Sequence, residues 1–362
     1  MLAGVLFYGL YSAFANMSSN LAEQRIASGF GFLAHPAGFG IAQALIPWSE
    51  AMTYARAYLV GLLNTLLVSL VAIFFSTILG FFVGIIRLTP NWTLSQLAKW
   101  YVEIVRNLPL LFQILFWYLA VLATMPAPRS AISILDVAFI SQRGIALPRL
   151  VYGDGAGIWL TALVLAVGCL FLYRRWSKAH QPRLKRGWFL PYAAVATVLG
   201  AWLIIDSPFS FAIPKQERFN LTGGLTILPE FAALLIALTV YSSAFIGEIV
   251  RAGIQAVPKG QVEAGRALGI GNSLLLRFIV IPQAMRIIIP LLTSQYLNII
   301  KNSSLGVTIG YPELVSVGGT MLNQTGQAIE VVGMWMMTYL TISLATSLFM
   351  NWYNTRMALV ER

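Results

Sequence analysis

Charged side chains are scarce in this chain. Asp, Glu, Lys and Arg make up 10% of its 362 residues, against 58% hydrophobic residues. A soluble domain carries roughly 25% charged residues, so the composition describes an integral membrane protein. Cysteine is almost absent: the single Cys169 lies in an apolar run and excludes an internal disulfide framework. His35 and His180 are the only histidines, and neither has a neighbouring Cys or His. No metal-ligand cluster is therefore visible, and no metal or cofactor is expected. The pattern G-x-x-x-x-G-K-[ST] is missing, which excludes P-loop ATP binding by this chain. The apolar runs hold almost no His, Asp or Cys, so no clustered catalytic set is available and an enzyme is not expected. Acidic residues number 13 against 24 Lys and Arg, a net charge of +11. That excess does not point to nucleic acid, because the basic residues concentrate in short loops between apolar spans.

What the chain has instead is long uncharged runs. Met1–Ala15 is apolar and about the minimum length of a span. Ala13-Phe14-Ala15 has the form of a cleavage site, but no basic stretch precedes it. The expectation is a transmembrane helix whose N-terminal flank lies before Met1. Asn16–Arg56 reads as a Gly- and Pro-punctuated loop, with Trp48, Tyr54 and Tyr58 as interfacial anchors. No charge occurs between Arg56 and Arg87, or between Arg106 and Arg129. Met125–Gly157 and Asp206–Thr226 read as loops. Between them fall spans at about Gly157–Tyr173 and Trp188–Ile205, joined by a segment holding Arg174, Arg175, Lys178, Arg183, Lys185 and Arg186. This is a topogenic cytoplasmic loop that also attracts anionic membrane lipid. Later spans fall at about Leu228–Val250, Ile287–Ile300 and Val331–Trp352. The expected fold is all-α and polytopic, with about eight transmembrane helices. Placing the basic loops Arg87–Arg106, Arg174–Arg186 and Arg251–Arg286 inside puts both termini in the cytoplasm. Lys301 is the exception, at the outer end of its span.

The polar segment Glu263–Pro282, EAGRALGIGNSLLLRFIVIP, interrupts the apolar pattern. The spacing predicts two short helices, Gln261–Leu268 and Ser273–Ile281, the second ended by Pro282. Gly269 and Gly271 lie in the turn, where positive φ is needed. On residues alone, a docking helix-turn-helix and an ordinary cytoplasmic loop fit equally.

The spacing also resembles the "EAA loop" of permease subunits of binding-protein-dependent ABC importers. Glu263, Ala264, Gly269, Ile279 and Pro282 fall in register with that pattern, without gaps. Gly265 stands for its second Ala, Leu268 for its usual Asp, and Ile281 for its Leu. The resemblance implies a coupling helix seated in a cleft of a separate ATP-binding subunit dimer, with Gly265 keeping a close-packing role. Arg106-Asn107-Leu108-Pro109-Leu110-Leu111, Glu248–Arg251, Val257-Pro258-Lys259-Gly260-Gln261 and Lys301–Leu305 resemble the polar amino acid class. The first span and the insertion resemble the longer permease of general L-amino acid systems of the Gram-negative inner membrane. Such systems carry a second permease, so a heterodimer is implied, and a periplasmic amino-acid-binding protein. The implied division is residues 1–57, a first helix and periplasmic loop; 58–125, core helices 1 and 2; 126–226, an insertion with two transmembrane helices; and 227–362, core helices 3–5 with the coupling loop 251–286. The implied mechanism is alternating access driven by ATP.

Within the span Ile287–Ile300, Ser294 and Asn298 lie four apart, followed by Asn302, with Gln295 and Lys301 beside them. Spacing of this kind puts them on one helix face. Polar groups in a membrane are costly unless they face protein or water. The face therefore lines a translocation path or bonds a neighbouring helix. Glu248, at the inner end of its span, reads as a loop-anchoring ion pair. An ion-coupled secondary transporter of small polar solutes is the alternative class. It needs an intramembrane relay or inverted repeats, and neither is evident.

Overall fold

The computed structural model describes residues 28–153, 156–179, 209–217 and 221–357, with scattered positions between 4 and 16 and at 196, 198 and 200. The expected span Met1–Ala15 lies partly, and the expected span Trp188–Ile205 largely, outside the described residues. The chain divides into two compact units. The first joins Met1–Thr124 to Leu228–Arg362, and the second is Met125–Ile227.

In the first unit, a single 3-10 turn, Phe30–Ala34, precedes α1, Tyr54–Ile86. The 33 residues of α1 span about 50 Å, more than the ~30 Å hydrocarbon layer. Helix α2, Trp92–Asn107, follows, and then α3, Leu110–Leu115, which continues as a π-helical turn over Phe116–Leu122. The chain bends by 104° between α2 and α3. Pro109 sits at the N-cap of α3 and supplies no N–H where none is needed. The second core span is thus a bent pair, and its apolar leg is only about 20 Å long.

Helix α4, Ala156–Ala179, belongs to the second unit. The first unit resumes with α5, Pro229–Gln255, the short α6, Lys259–Ala267, and α7, Asn272–Leu275. A π-helical turn, Leu276–Val280, joins α7 to α8, Ile281–Asn302. A 3-10 segment, Ser303–Ile309, leads to α9, Leu314–Thr325, and the last helix is α10, Ala328–Met357. Among the described residues, α1, α5, the run Asn272–Ile309 and α10 are long and apolar enough to cross a membrane, with the bent pair as a fifth. These match the five-helix core.

Lipid is as apolar as the helices, so close packing must hold them together. Helix α1 supplies it with a stripe of small residues. A Cβ at Gly80 would lie 2.5 Å from Ile246 Cγ2, and one at Gly84 2.7 Å from the Gly247 carbonyl oxygen. Only glycine lets α1 and α5 approach this far. The loop before α1 folds inward: Phe32, Ala37, Tyr54 and Ala57 pack on Val317, Met321 and Val331. Tyr54 donates to Gln324 Oε1 at 2.8 Å, and the Tyr58 hydroxyl lies 2.8 Å from Thr338 Oγ1. These tyrosines tie helices together, where the sequence suggested interfacial anchors.

The second unit contains strands where the sequence predicts loops. They are β1 (Ile132–Ile134), β2 (Ala138–Ser141), β3 (Gly144–Leu147), β4 (Arg149–Tyr152), β5 (Phe209–Ala212), β6 (Lys215–Gln216), β7 (Leu221–Thr222) and β8 (Leu225–Ile227). All pairings are antiparallel: one sheet ordered β1-β2-β3-β8, and the pairs β4-β5 and β6-β7. Phe139 and Ser141 point inward from β2, and Gly144 and Ala146 from β3, at the strand period of two. The protein remains predominantly helical, and the insertion adds short antiparallel strands beside the helix α4 in sequence.

Candidate coupling and translocation sites

Helix α6 is amphipathic. Val262 and Gly265 face the bundle, while Glu263, Ala264 and Arg266 are exposed. Its end is a Schellman motif: Gly269 N–H donates to Arg266 O at 2.9 Å, and Ile270 N–H to Gly265 O at 3.1 Å. Gly269 has φ 73°, the left-handed region that favours glycine. Gly271 has φ −62°, so the need for positive φ falls on Gly269 alone.

Gly265 is buried because α6 lies on the following helix. A Cβ there would be 3.0 Å from Ile279 Cδ1 and 3.1 Å from Leu275 Cδ1. Below it, Val257, Leu275, Val280, Ala284 and Ile288 form one core with Ile246 and Val250. Ile279 is half-buried against that core. Pro282 does not end a helix, contrary to the sequence expectation. It occupies the first turn of α8, and the π-helical turn before it absorbs the register change. The coupling segment therefore runs directly into a membrane span. Its outer surface presents Glu263, Ala264 and Leu268, the last 79% exposed. Glu263 has no ion-pair partner among the described residues.

Glu248 forms the expected anchor. Its carboxylate pairs with Arg87 at the end of α1 and with Arg251 one turn further along α5. Arg251 also donates to Gln255 Oε1 at 2.5 Å. The cluster fixes α1 to α5 just before the coupling segment.

On α8, Ser294, Asn298 and Lys301 are exposed on one face, which Ile287 and Leu291 continue toward the coupling segment. Gln295 and Asn302 are half-buried at its edge. None of these five side chains has a hydrogen-bond partner among the described residues. Among the described residues they bond to no neighbouring helix. The face is open, beside a buried face of Ile288, Leu292, Ile299 and Ile300.

The sequence reading missed a buried polar cluster just beyond α8. Glu313, fully buried, caps α9, accepting from Val315 N–H at 2.8 Å and Ser316 N–H at 2.7 Å. Asn64 of α1 donates to Pro312 O at 2.9 Å and Gln43 O at 2.8 Å. Tyr311 donates to Asn64 O at 3.1 Å, and Leu314 N–H to Thr65 Oγ1 at 3.0 Å. Burial pushes the Glu313 carboxyl up to about 7, despite the two N–H donors that favour its ionised form. The available signal was Pro312-Glu313 before an apolar run, with Gly326 at the far end. Glu is an uncommon cap, so the helix was not expected.

An apolar bundle carrying an exposed amphipathic helix, with an open polar face on the adjoining span, is compatible with a transport subunit of the permease class. Residues 160–359 match the family described as binding-protein-dependent transport system inner membrane component, and the chain belongs to that family. It is 52% identical to the putative amino-acid ABC transporter permease protein YhdX of Escherichia coli K12, over 96% of this chain and 90% of that one. It is 49% identical to the general L-amino acid transport system permease protein AapQ of Rhizobium johnstonii, over 96% and 88%. A solved amino acid ABC transporter, crystallised with histidines, shares the fold at TM-score 0.51 and 20% identity, covering 84% of this chain and 95% of that chain. The protein is accordingly a multi-pass inner-membrane permease subunit of an ABC transporter, coupled to an ATPase.

Proposed function

We propose that this subunit imports L-amino acids from the periplasm, paired with a second, different permease, an ATP-binding subunit dimer and a periplasmic amino-acid-binding protein. The observation that carries the reading is the packing of α6 on the segment that runs without a break from α7 into α8. The exposed surface at Glu263, Ala264 and Leu268 lies on α6, which packs through Gly265 on Leu275 and Ile279; those residues lead straight into α8 and its open polar face at Ser294, Asn298 and Lys301. Movement of α6 in a cleft of the ATPase would turn that face.

In this reading Gly265, Gly269, Ile279 and Pro282 hold the coupling segment in shape. Ser294, Gln295, Asn298, Lys301 and Asn302 line the path where the two permeases meet. The coupling loop and the basic segments Arg87–Arg106 and Arg174–Arg186 face the cytoplasm, as do both termini. The functional division is 1–57, 58–125, 126–226 and 227–362. High identity to amino acid permeases across nearly the whole chain supports the substrate class.

The test is crosslinking in the assembled complex. A cysteine at Leu268, in a background lacking Cys169, should form a short crosslink to the ATPase subunit, and ATP should change its yield. No crosslink in a complex that contains the ATPase would refute the coupling role.

A further inference from the structure

We propose that the tip of the β1–β2 hairpin, Ile134–Val137, is the point at which the insertion grips the substrate receptor. The inference rests on the importer reading above. Leu135 and Asp136, with φ 53° and 55°, are the non-glycine residues at positive φ among the described residues. Asp tolerates that region, whereas Leu occupies it rarely. Gly or Asn at 135 would make the same turn without strain. Leu135 is also 89% exposed, more than any other large apolar side chain described, with Ile132, Ile134 and Val137 exposed beside it. Folding gains nothing from this leucine, neither burial nor turn geometry. Backbone strain held around an exposed apolar side chain is the mark of a contact made with something else.

The occupant follows from charge and connectivity. The turn is fixed by Ser133, whose hydroxyl donates to Asp136 Oδ1 at 2.7 Å and accepts from Asp136 N–H at 3.2 Å. A carboxylate therefore sits next to Leu135. Lipid is a poor host for a carboxylate, and for β1, an edge strand with one row of backbone groups unpaired in its sheet. A protein surface with an apolar notch beside a cation satisfies all three. The insertion leaves the core at Thr124 and rejoins it at Leu228, and Tyr118 donating to Glu230 Oε1 at 3.0 Å holds those two ends together. Helix α5 then runs about 40 Å before reaching the coupling segment. Both attachments of the insertion are thus at the end of α5 remote from the ATPase site, the end at which substrate is delivered.

The test uses the assembled transporter in nanodiscs and purified receptor loaded with amino acid. The readout is receptor-stimulated ATP hydrolysis across receptor concentration. Leu135→Asn keeps the turn and removes the apolar anchor. It should raise the half-saturating receptor concentration about tenfold or more, with basal and plateau rates unchanged. Leu135→Met should stay near wild type, and Leu135→Gly should behave like the Asn variant. Unchanged half-saturation in the Asn and Gly variants overturns the proposal. Loss of the second permease from the purified complex overturns it in favour of a permease–permease contact. Unchanged half-saturation, with a variant-to-wild-type difference in activity that depends on the lipid composition of the nanodisc, overturns it in favour of lipid. A wild-type complex that does not respond to receptor overturns the importer reading, and this assignment with it.

Discussion

Replacing Gly269 by Val isolates the conformational demand of the coupling turn. Nothing lies within 4 Å of a Cβ built at this position, so the cost is not a clash with neighbours. It is the left-handed backbone at φ 73°. A β-branched residue there costs on the order of 1–3 kcal/mol. Relaxing to negative φ would instead break the two closing bonds, from Gly269 and Ile270 to the carbonyls of Arg266 and Gly265, at about 1 kcal/mol each. Either route removes about 1–3 kcal/mol from the docked form of α6, a loss of its population of roughly 5- to 150-fold. The bundle core is not touched, so membrane insertion and assembly of the spans should be normal. Uptake and receptor-stimulated ATP hydrolysis in proteoliposomes should fall by about fivefold or more. Gly269→Asn, which accepts the left-handed region, should retain most activity. Wild-type uptake in the Val variant would refute the reasoning.

Further expectations concern four positions. Gly265→Ala should be nearly neutral, because the Ile279 and Leu275 side-chain ends can shift while helix propensity gains about 1 kcal/mol; Gly265→Leu should lift α6 and abolish coupling, measured as the ratio of uptake to ATP hydrolysis. Glu248→Ala leaves Arg87 and Arg251 without their shared carboxylate and should cost about 1–3 kcal/mol, read as a lower Tm of the purified complex. For Glu313, burial favours the neutral acid, so between about 4.5 and 7 the folded state holds a proton that the unfolded state releases. Its stabilising effect is complete below about 4.5 and lost as pH rises through about 7, up to about 3 kcal/mol, and Glu313→Gln should flatten that part of the Tm-versus-pH profile. Asn298→Leu should leave assembly and receptor-stimulated ATP hydrolysis intact while changing uptake of different amino acids unequally. Loss of assembly with unchanged substrate ranking would make Asn298 a helix contact instead.

The helix–turn–helix over Lys259–Val280 was legible in the sequence because its signals are local. Gly269 marks a left-handed residue, and the apolar run after Asn272 marks the next helix. Glu248 was legible for the same reason, a lone carboxylate at a span end beside Arg251. Pro282 misled because a proline usually stops the helix before it, and nothing local announced the π-helical turn over Leu276–Val280 that carries the helix through. The buried cluster around Glu313 depends on contacts with Asn64 and Thr65 about 250 residues away, which no periodicity encodes. The strands of the insertion escaped for another reason: they are only two to four residues long, too short for alternation to register. Tyr54 and Tyr58 read as membrane-interface residues by type, yet their partners Gln324 and Thr338 lie on distant helices.

The most direct test of the central claim is uptake of radiolabelled L-amino acids into proteoliposomes containing this subunit, its second permease and the ATPase, with loaded receptor outside and ATP inside. Uptake should require both receptor and internal ATP, and should vanish when the ATPase is omitted. Uptake that persists without the ATPase, driven by an ion gradient alone, would contradict it.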